Sequence, residues 1–233
     1  MANIKKAIVF DAGVLITFSM NGILGKIKEL REIFDGEFIV TDQVKYEVVD
    51  KPISIKRFEF EALNVKRLID DKIIKTPQDL GISKIEIDKR TEKILAISNK
   101  TFFERGKPIK IIHNGEASSL ALSSILNEMK IMNVIAIDER TARLLCEKPD
   151  NLTALFQEKF HTQITANKEN YKYFKEFQFI RSSELIYLAF KKGFFDLKDH
   201  DTVLDALLYA VKYKGCAISH EEIEEMKKIS NLK

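Results

Sequence analysis

The chain has 233 residues, 45% of them hydrophobic and 31% charged, a globular composition with enough length for one sizeable core. Two cysteines, Cys146 and Cys216, stand far apart and outside any C-x-x-C pattern, which argues against a disulfide framework or a zinc cage, and no stretch is long enough to span a bilayer. The net charge of +3 neither demands nor repels a polyanionic partner.

The opening M-A-N-I-K-K carries no apolar signal segment, so a reducing cytoplasm is the expected location. Lys outnumbers Arg by 30 to 8, and only 9 residues are Gly; this bias points to a heat-adapted source. Both cysteines fall in apolar helical contexts, where they read as small buried hydrophobes.

The first element is the apolar run Ala7-Ile8-Val9-Phe10, which stops on Asp11. A continuous rather than alternating run suits a strand covered on both faces of a parallel sheet. The functional crevice of such sheets lies beyond the carboxyl ends of the strands, where Asp11 falls. Asp is also a favoured cap for the segment that follows, Val14 to Phe18, and Asp11 alone does not choose between the two roles.

Apolar residues at helical spacing predict an amphipathic helix over Asn21–Phe34, closed by Gly36. Phe38-Ile39-Val40 predicts a second buried strand, followed by Thr41 or Asp42 as a helix cap. In that helix Val44 and Val48 mark the inward stripe and Glu47 falls about 60° from Val44, on its border. A carboxylate there needs a compensating positive group, or else swings outward to pair with Lys51.

Phe58–Ile69 predicts a further helix and Lys72–Lys75 a third strand. From about residue 78 to 110 the pattern is charged and helical and reads as a solvated helical insertion. Asn114-Gly115-Glu116-Ala117-Ser118-Ser119 then opens a helix of small residues, which can approach a neighbour closely. Glu116 heads a polar stripe with Ser119, Ser123 and Asn127, so a solvated, dipole-matched position fits it equally well.

Val134–Ile137 is a fourth apolar run, ended by Asp138-Glu139-Arg140, and repeats the pattern of the opening strand. Two strands that end this way bring both carboxylates to one rim of a parallel sheet. Residues from about 148 to 176 form a second helical insertion whose aromatics read as local core. Phe177–Arg181 predicts a fifth strand, Ser183 caps a helix over Glu184–Lys192, and Asp201–Lys214 gives another, with Asp205 on its solvated side near Lys212.

Asp11, Glu47, Glu116 and Asp138 thus share a topology. Clustered carboxylates repel unless a cation holds them, and an oxygen-only donor set selects Mg²⁺ or Mn²⁺. Such a site activates water and neutralises charge on a phosphodiester.

With F-D-A-G-V-L-I, T-D-Q-V-K-Y-E-V, G-E-A-S-S-L-A-L and I-D-E-R-T-A-R in this order, the chain resembles the PIN-domain nucleases. Its ending, L-L-Y-A-V-K-Y-K-G-C-A-I-S-H-E-E-I, is similar to archaeal members. The resemblance covers most of the chain apart from the two insertions. It implies one α/β domain over 1–233, a three-layer α/β/α sandwich around a parallel sheet of about five strands, and Mg²⁺- or Mn²⁺-dependent cleavage of single-stranded RNA. Asp11, Glu116 and Asp138 would bind metal directly, and Glu47 would complete the pocket and orient the water. Glu139 could assist Asp138 or merely match the helix dipole.

Many family members carry Ser or Thr after the first Asp, where this chain has Ala12. It is also longer than the compact toxin members, so an RNA-processing or ribosome-related role stands beside the toxin role. A homodimer is compatible with this reading; an antitoxin partner is compatible but not indicated.

Three other readings fit the sequence less well. A non-catalytic RNA-binding or scaffolding protein of the same fold would not need four carboxylates, which repel a phosphate backbone. A haloacid-dehalogenase-type phosphatase needs a second Asp two residues after the first, where Gly13 stands. A dinucleotide-binding domain needs G-x-G-x-x-G after a strand, and none is present. Arg140 and Arg143, close in sequence to Asp138, could clamp phosphate or pair with Glu139 and Glu147.

Overall fold

A computed structural model describes residues 4–198 and 200–231, with the side chains of 200, 201 and 231 excepted. In chain order the elements are β1 (Lys6–Phe10), α1 (Ala12–Met20), α2 (Gly25–Ile33), β2 (Glu37–Ile39) and α3 (Asp42–Lys45), which runs on into a π-turn over Tyr46–Asp50. Next come α4 (Glu59–Asp70), α5 (Lys84–Ser98), β3 (Phe102–Glu104), β4 (Lys107–Pro108), α6 (Asn114–Glu128), β5 (Met132–Ala136), α7 (Arg140–Glu147) and α8 (Pro149–Phe160). Then follow β6 (Ile164–Ala166), β7 (Phe179–Ile180), α9 (Ser182–Lys191), α10 (His200–Tyr213) and α11 (His220–Asn231).

A parallel four-stranded sheet in the order β2-β1-β5-β7 forms the centre. β1 pairs with β2 from Ala7–Glu37 to Val9–Ile39 and with β5 from Lys6–Met132 to Phe10–Ala136. The continuous apolar run of β1 has its predicted cause. Ile8 and Phe10 pack with residues of α1, α2, α4, α9 and α10, while Ala7 and Val9 pack with residues of α5, α6, α7 and α8. Both faces of the strand are therefore covered, and Val9 and Phe10 are fully buried.

Several expected elements differ. The strand predicted at Lys72–Lys75 shrinks to one parallel bridge between Lys75 and Ile39, because Lys72 turns the chain at φ 58° and Pro77 follows two residues after Lys75. The sheet accordingly has four strands and not five. The helix predicted from Asn21 begins only at Gly25, since Gly22 turns the chain at φ 68°. The cap of the helix that follows β2 is Thr41, whose hydroxyl accepts from the Val44 N–H at 3.1 Å.

The larger correction concerns the two insertions, which are neither purely helical nor separate. β3 pairs antiparallel with β4 and with β6, which joins residues 102–108 to 164–166 in a second, three-stranded sheet. The β3–β4 hairpin turns on Arg105 (φ 47°) and Gly106 (φ 79°), the left-handed pair that a two-residue hairpin requires.

Phe102 is fully buried beneath this sheet, edge-on to Phe156 at 5.7 Å and beside Tyr171 at 6.0 Å, in the same hydrophobic cluster as Val9. Of the aromatics expected in the local core, Phe156, Tyr171 and Phe174 are buried, whereas Tyr173 is half-exposed. Replacement of Phe102 by Ala removes the side chain that both insertions share and is expected to cost about 3–5 kcal/mol in urea unfolding. A cost below about 1 kcal/mol would mean that the two segments pack independently.

Candidate active site

Asp11 follows the last residue of β1, where its N–H donates to the Ala136 carbonyl of β5 at 2.9 Å. Its Oδ2 accepts from the Gly13 N–H at 3.1 Å and caps α1. Capping and placement at the rim are thus one arrangement and not alternatives. The side chain is buried. Burial, then the charge of Glu116, and more weakly that of Glu47, push its pKa up to about 7, against the pull of the Gly13 and Ala12 N–H groups.

Glu116 reaches this rim because the start of α6 is tied to the end of β2. The Thr41 and Ser118 hydroxyls share a hydrogen bond of 2.7 Å, and Ser118 also donates to the Gly115 carbonyl at 2.8 Å. The Glu116 Oε2 accepts from the His113 N–H at 2.7 Å, closing the first turn of α6. The middle of the stripe is not solvated: Ser119 and Ser123 are buried, and Ser123 donates to Asn133 on β5, while Asn127 at its far end is exposed.

Glu47 lies in the π-turn that extends α3. A π-turn inserts an extra residue per turn and is often found at functional sites; here Val48 and Val49 are both buried. Glu47 does not swing out to Lys51 but accepts from the Gln43 amide at 2.7 Å. Its Oε2 lies so near Gly115 that a Cβ there would come within 2.7 Å. Glycine at 115 is what lets Glu47 stand against the start of α6.

Asp138 is buried at the carboxyl end of β5, on the same rim as Asp11. Gly13 lies between them: a Cβ at that position would be 3.5 Å from the Asp11 Oδ2 and 3.8 Å from the Asp138 Cβ. The carboxylate of Asp138 is held by Ser182, whose N–H donates to Oδ1 at 2.8 Å and whose hydroxyl donates to Oδ2 at 2.6 Å. Cys216 lies alongside; burial, and then the charge of Asp138, push its thiol up to about 12. Glu139 caps α7, accepting from the Ala142 N–H at 2.6 Å.

The sequence pattern passed over Ser182 and made Ser183 the cap of this helix; the helix in fact starts at Ser182 with Arg181 at its cap position, and Ser182 turns to Asp138. It is fully buried. Ser182→Ala would remove the hydroxyl donor from a buried carboxylate and is expected to cost about 1–3 kcal/mol, measured by chemical denaturation. A neutral outcome would mean that the Ser182 hydroxyl contributes nothing to holding Asp138.

At this rim Asp11 thus feels the charges of Glu116 and Glu47, and Asp138 stands beside it across Gly13. Their oxygen-only chemistry suits a hard divalent cation. Among the described residues, however, no three acidic, His or Cys side chains are positioned to hold a metal ion as they stand. The carboxylates are engaged within the protein instead: both oxygens of Asp138 accept from Ser182, and one each of Glu116 and Glu47 accepts from His113 and Gln43.

Beyond Glu47 runs an apolar groove of about 370 Å³ between α1, the π-turn and α4, lined by residues that include Ile16, Met20, Ile55 and Phe58. Asp205 plays no part at the rim; it pairs with Lys227 at 2.7 Å. No helix among the described residues is long and apolar enough to cross a membrane. Compared with known proteins, the chain matches no family model, no curated protein and no solved structure.

Proposed function

We propose that the chain is a metal-dependent ribonuclease of PIN type that cleaves phosphodiester bonds in single-stranded RNA. The observation that carries this reading is Asp11: a buried carboxyl at a strand end, facing Glu116 and Glu47, with its pKa raised to about 7. A fold gains nothing in stability from such a convergence of like charges, and pKa values perturbed this way concentrate at functional sites. The coverage of the parallel sheet on both faces supports the three-layer sandwich that goes with a PIN domain, and a cytoplasmic location accords with it.

In this reading Asp11, Glu116 and Asp138 would hold Mg²⁺ or Mn²⁺. The ion, when bound, lowers the pKa of water and neutralises charge on the phosphodiester. The chain supplies the rest. Ser182 fixes the Asp138 carboxylate, His113 and the first turn of α6 aim Glu116, and Gln43 holds one oxygen of Glu47 so that the other would orient the water. The test is labelled single-stranded RNA incubated with the protein and Mn²⁺, with and without excess chelator; cutting that survives chelation overturns the metal dependence.

The engagement of Asp138 by Ser182 favours a second reading, a non-catalytic RNA-binding protein of the same fold. In that case RNA binds in the same assay and stays intact at every metal concentration.

A further inference from the structure

We propose that the pocket beside Asp138, formed by α7, the turn before α9 and the segment before α11, binds a phosphate of the RNA strand other than the one cut. This deepens the nuclease reading and rests on it. The pocket holds about 420 Å³, and its wall includes Arg140, Arg143, Lys148, Asn151, Arg181 and Ser219. Four cations there face two acids, Glu147 and Glu222.

The four cations are not equivalent. Arg181 is committed to the protein: it pairs with Glu184 and Glu222 and donates to the Ala217 carbonyl at 3.0 Å. Burial opposes its charge, yet these two acids outweigh burial and raise its pKa. Arg143 donates through Nη2 to the same carbonyl at 3.2 Å, and its Nε is buried without a hydrogen-bond partner. Arg140 and Lys148 are exposed, and among the described residues neither they nor Arg143 form an ion pair. The pairing of Arg140 and Arg143 with Glu139 and Glu147 that the sequence allowed is therefore not made.

A planar guanidinium fits two oxygens of a phosphate, and Arg140 offers one that is exposed at the pocket wall. Lys148 and Arg140 add charge that is not spent within the fold. The pocket is also continuous with the acidic rim through the backbone. Arg140 follows Asp138 by two residues, which limits their Cα atoms to about 7 Å. Arg181 precedes Ser182, the residue that grips Asp138, and the Ala217 N–H donates to the Asp138 carbonyl at 3.1 Å. These short backbone links set the cations within a nucleotide or two of a scissile group held at the rim.

The experiment is fluorescence anisotropy with a labelled single-stranded oligoribonucleotide, titrated over a range of salt in the Asp11→Asn protein so that no strand is cut. For a single strand each phosphate contact contributes about 0.7 to the slope of log affinity against log salt. Arg143→Ala and Arg140→Ala are each expected to weaken binding and reduce the slope by about 0.7, while Lys130→Ala, on the loop leading into β5, leaves it unchanged. Arg140 is exposed, so its variant tests the pocket without disturbing the fold.

An unchanged slope in both arginine variants overturns the proposal, as does an equal loss from Lys130→Ala. A saturable rise in melting temperature with inorganic phosphate alone, with no effect of either arginine on RNA binding, assigns the pocket to free phosphate and also overturns it. A reduced slope in the arginine variants, when the parent protein with an intact Asp11 cuts no RNA with Mn²⁺, keeps the pocket and removes the nuclease.

Discussion

Asp11→Asn is expected to reduce Mn²⁺-dependent cleavage of single-stranded RNA by at least about 10³-fold, equivalent to roughly 4 kcal/mol of transition-state stabilisation. The substitution keeps the shape of the side chain and an oxygen that can still accept from the Gly13 N–H, so α1 retains its cap. What it removes is negative charge at the centre of the rim. Glu116→Gln is expected to cause a loss of the same order, because Glu116 is the carboxylate that most strongly perturbs Asp11. RNA affinity measured without metal should hold or rise in both variants, since each removes repulsion toward phosphate. Cleavage by Asp11→Asn within about threefold of the parent protein would dismiss this rim as the catalytic centre.

The part of this arrangement legible in the sequence is the part written in strand grammar. An apolar run that ends on a carboxylate states both where a strand lies and which rim its acid occupies, and Asp11 and Asp138 were placed by that pattern alone. Glu47 was found on the border of a stripe counted at 100° per residue, although the helix widens into a π-turn at Tyr46–Asp50. A count at 100° per residue finds Glu47, but it does not describe the backbone of a π-turn. Nothing in residues 42–50 announces a π-turn, in which Val48 and Val49 are both buried in the core.

What stayed hidden depends on contacts between distant segments. The second sheet joins Phe102–Glu104 to Ile164–Ala166 across some sixty residues, and each of its strands is three residues or shorter, below the length at which alternation can be read. The Arg105-Gly106 turn was a local clue to its first hairpin. Ser182 was obscured in the same way: its partner Asp138 lies 44 positions earlier, and only the pairing of β5 with β7 brings them together.

The second large effect is on stability in metal-free buffer, and its sign follows from Asp11. The unfolded chain ionises this carboxyl near pH 4, whereas the folded chain holds the proton until about pH 7. Between those values the native state binds more protons than the unfolded state, so each rise in pH shifts the balance toward unfolding. Below pH 4 both states are protonated and Asp11 contributes no penalty; above pH 7 both are ionised and the penalty is complete. With about three units separating the two values, that penalty reaches at most about 4 kcal/mol. Asp11→Asn never ionises. In chelator-treated protein it is therefore expected to be more stable than the parent at pH 8, by up to this amount, with the advantage fading as the pH approaches 4. Urea unfolding at both pH values measures it. Equal stability at pH 8 would mean that Asp11 ionises in the fold as readily as in water, and the repulsion that gives the rim its affinity for a cation would then be absent.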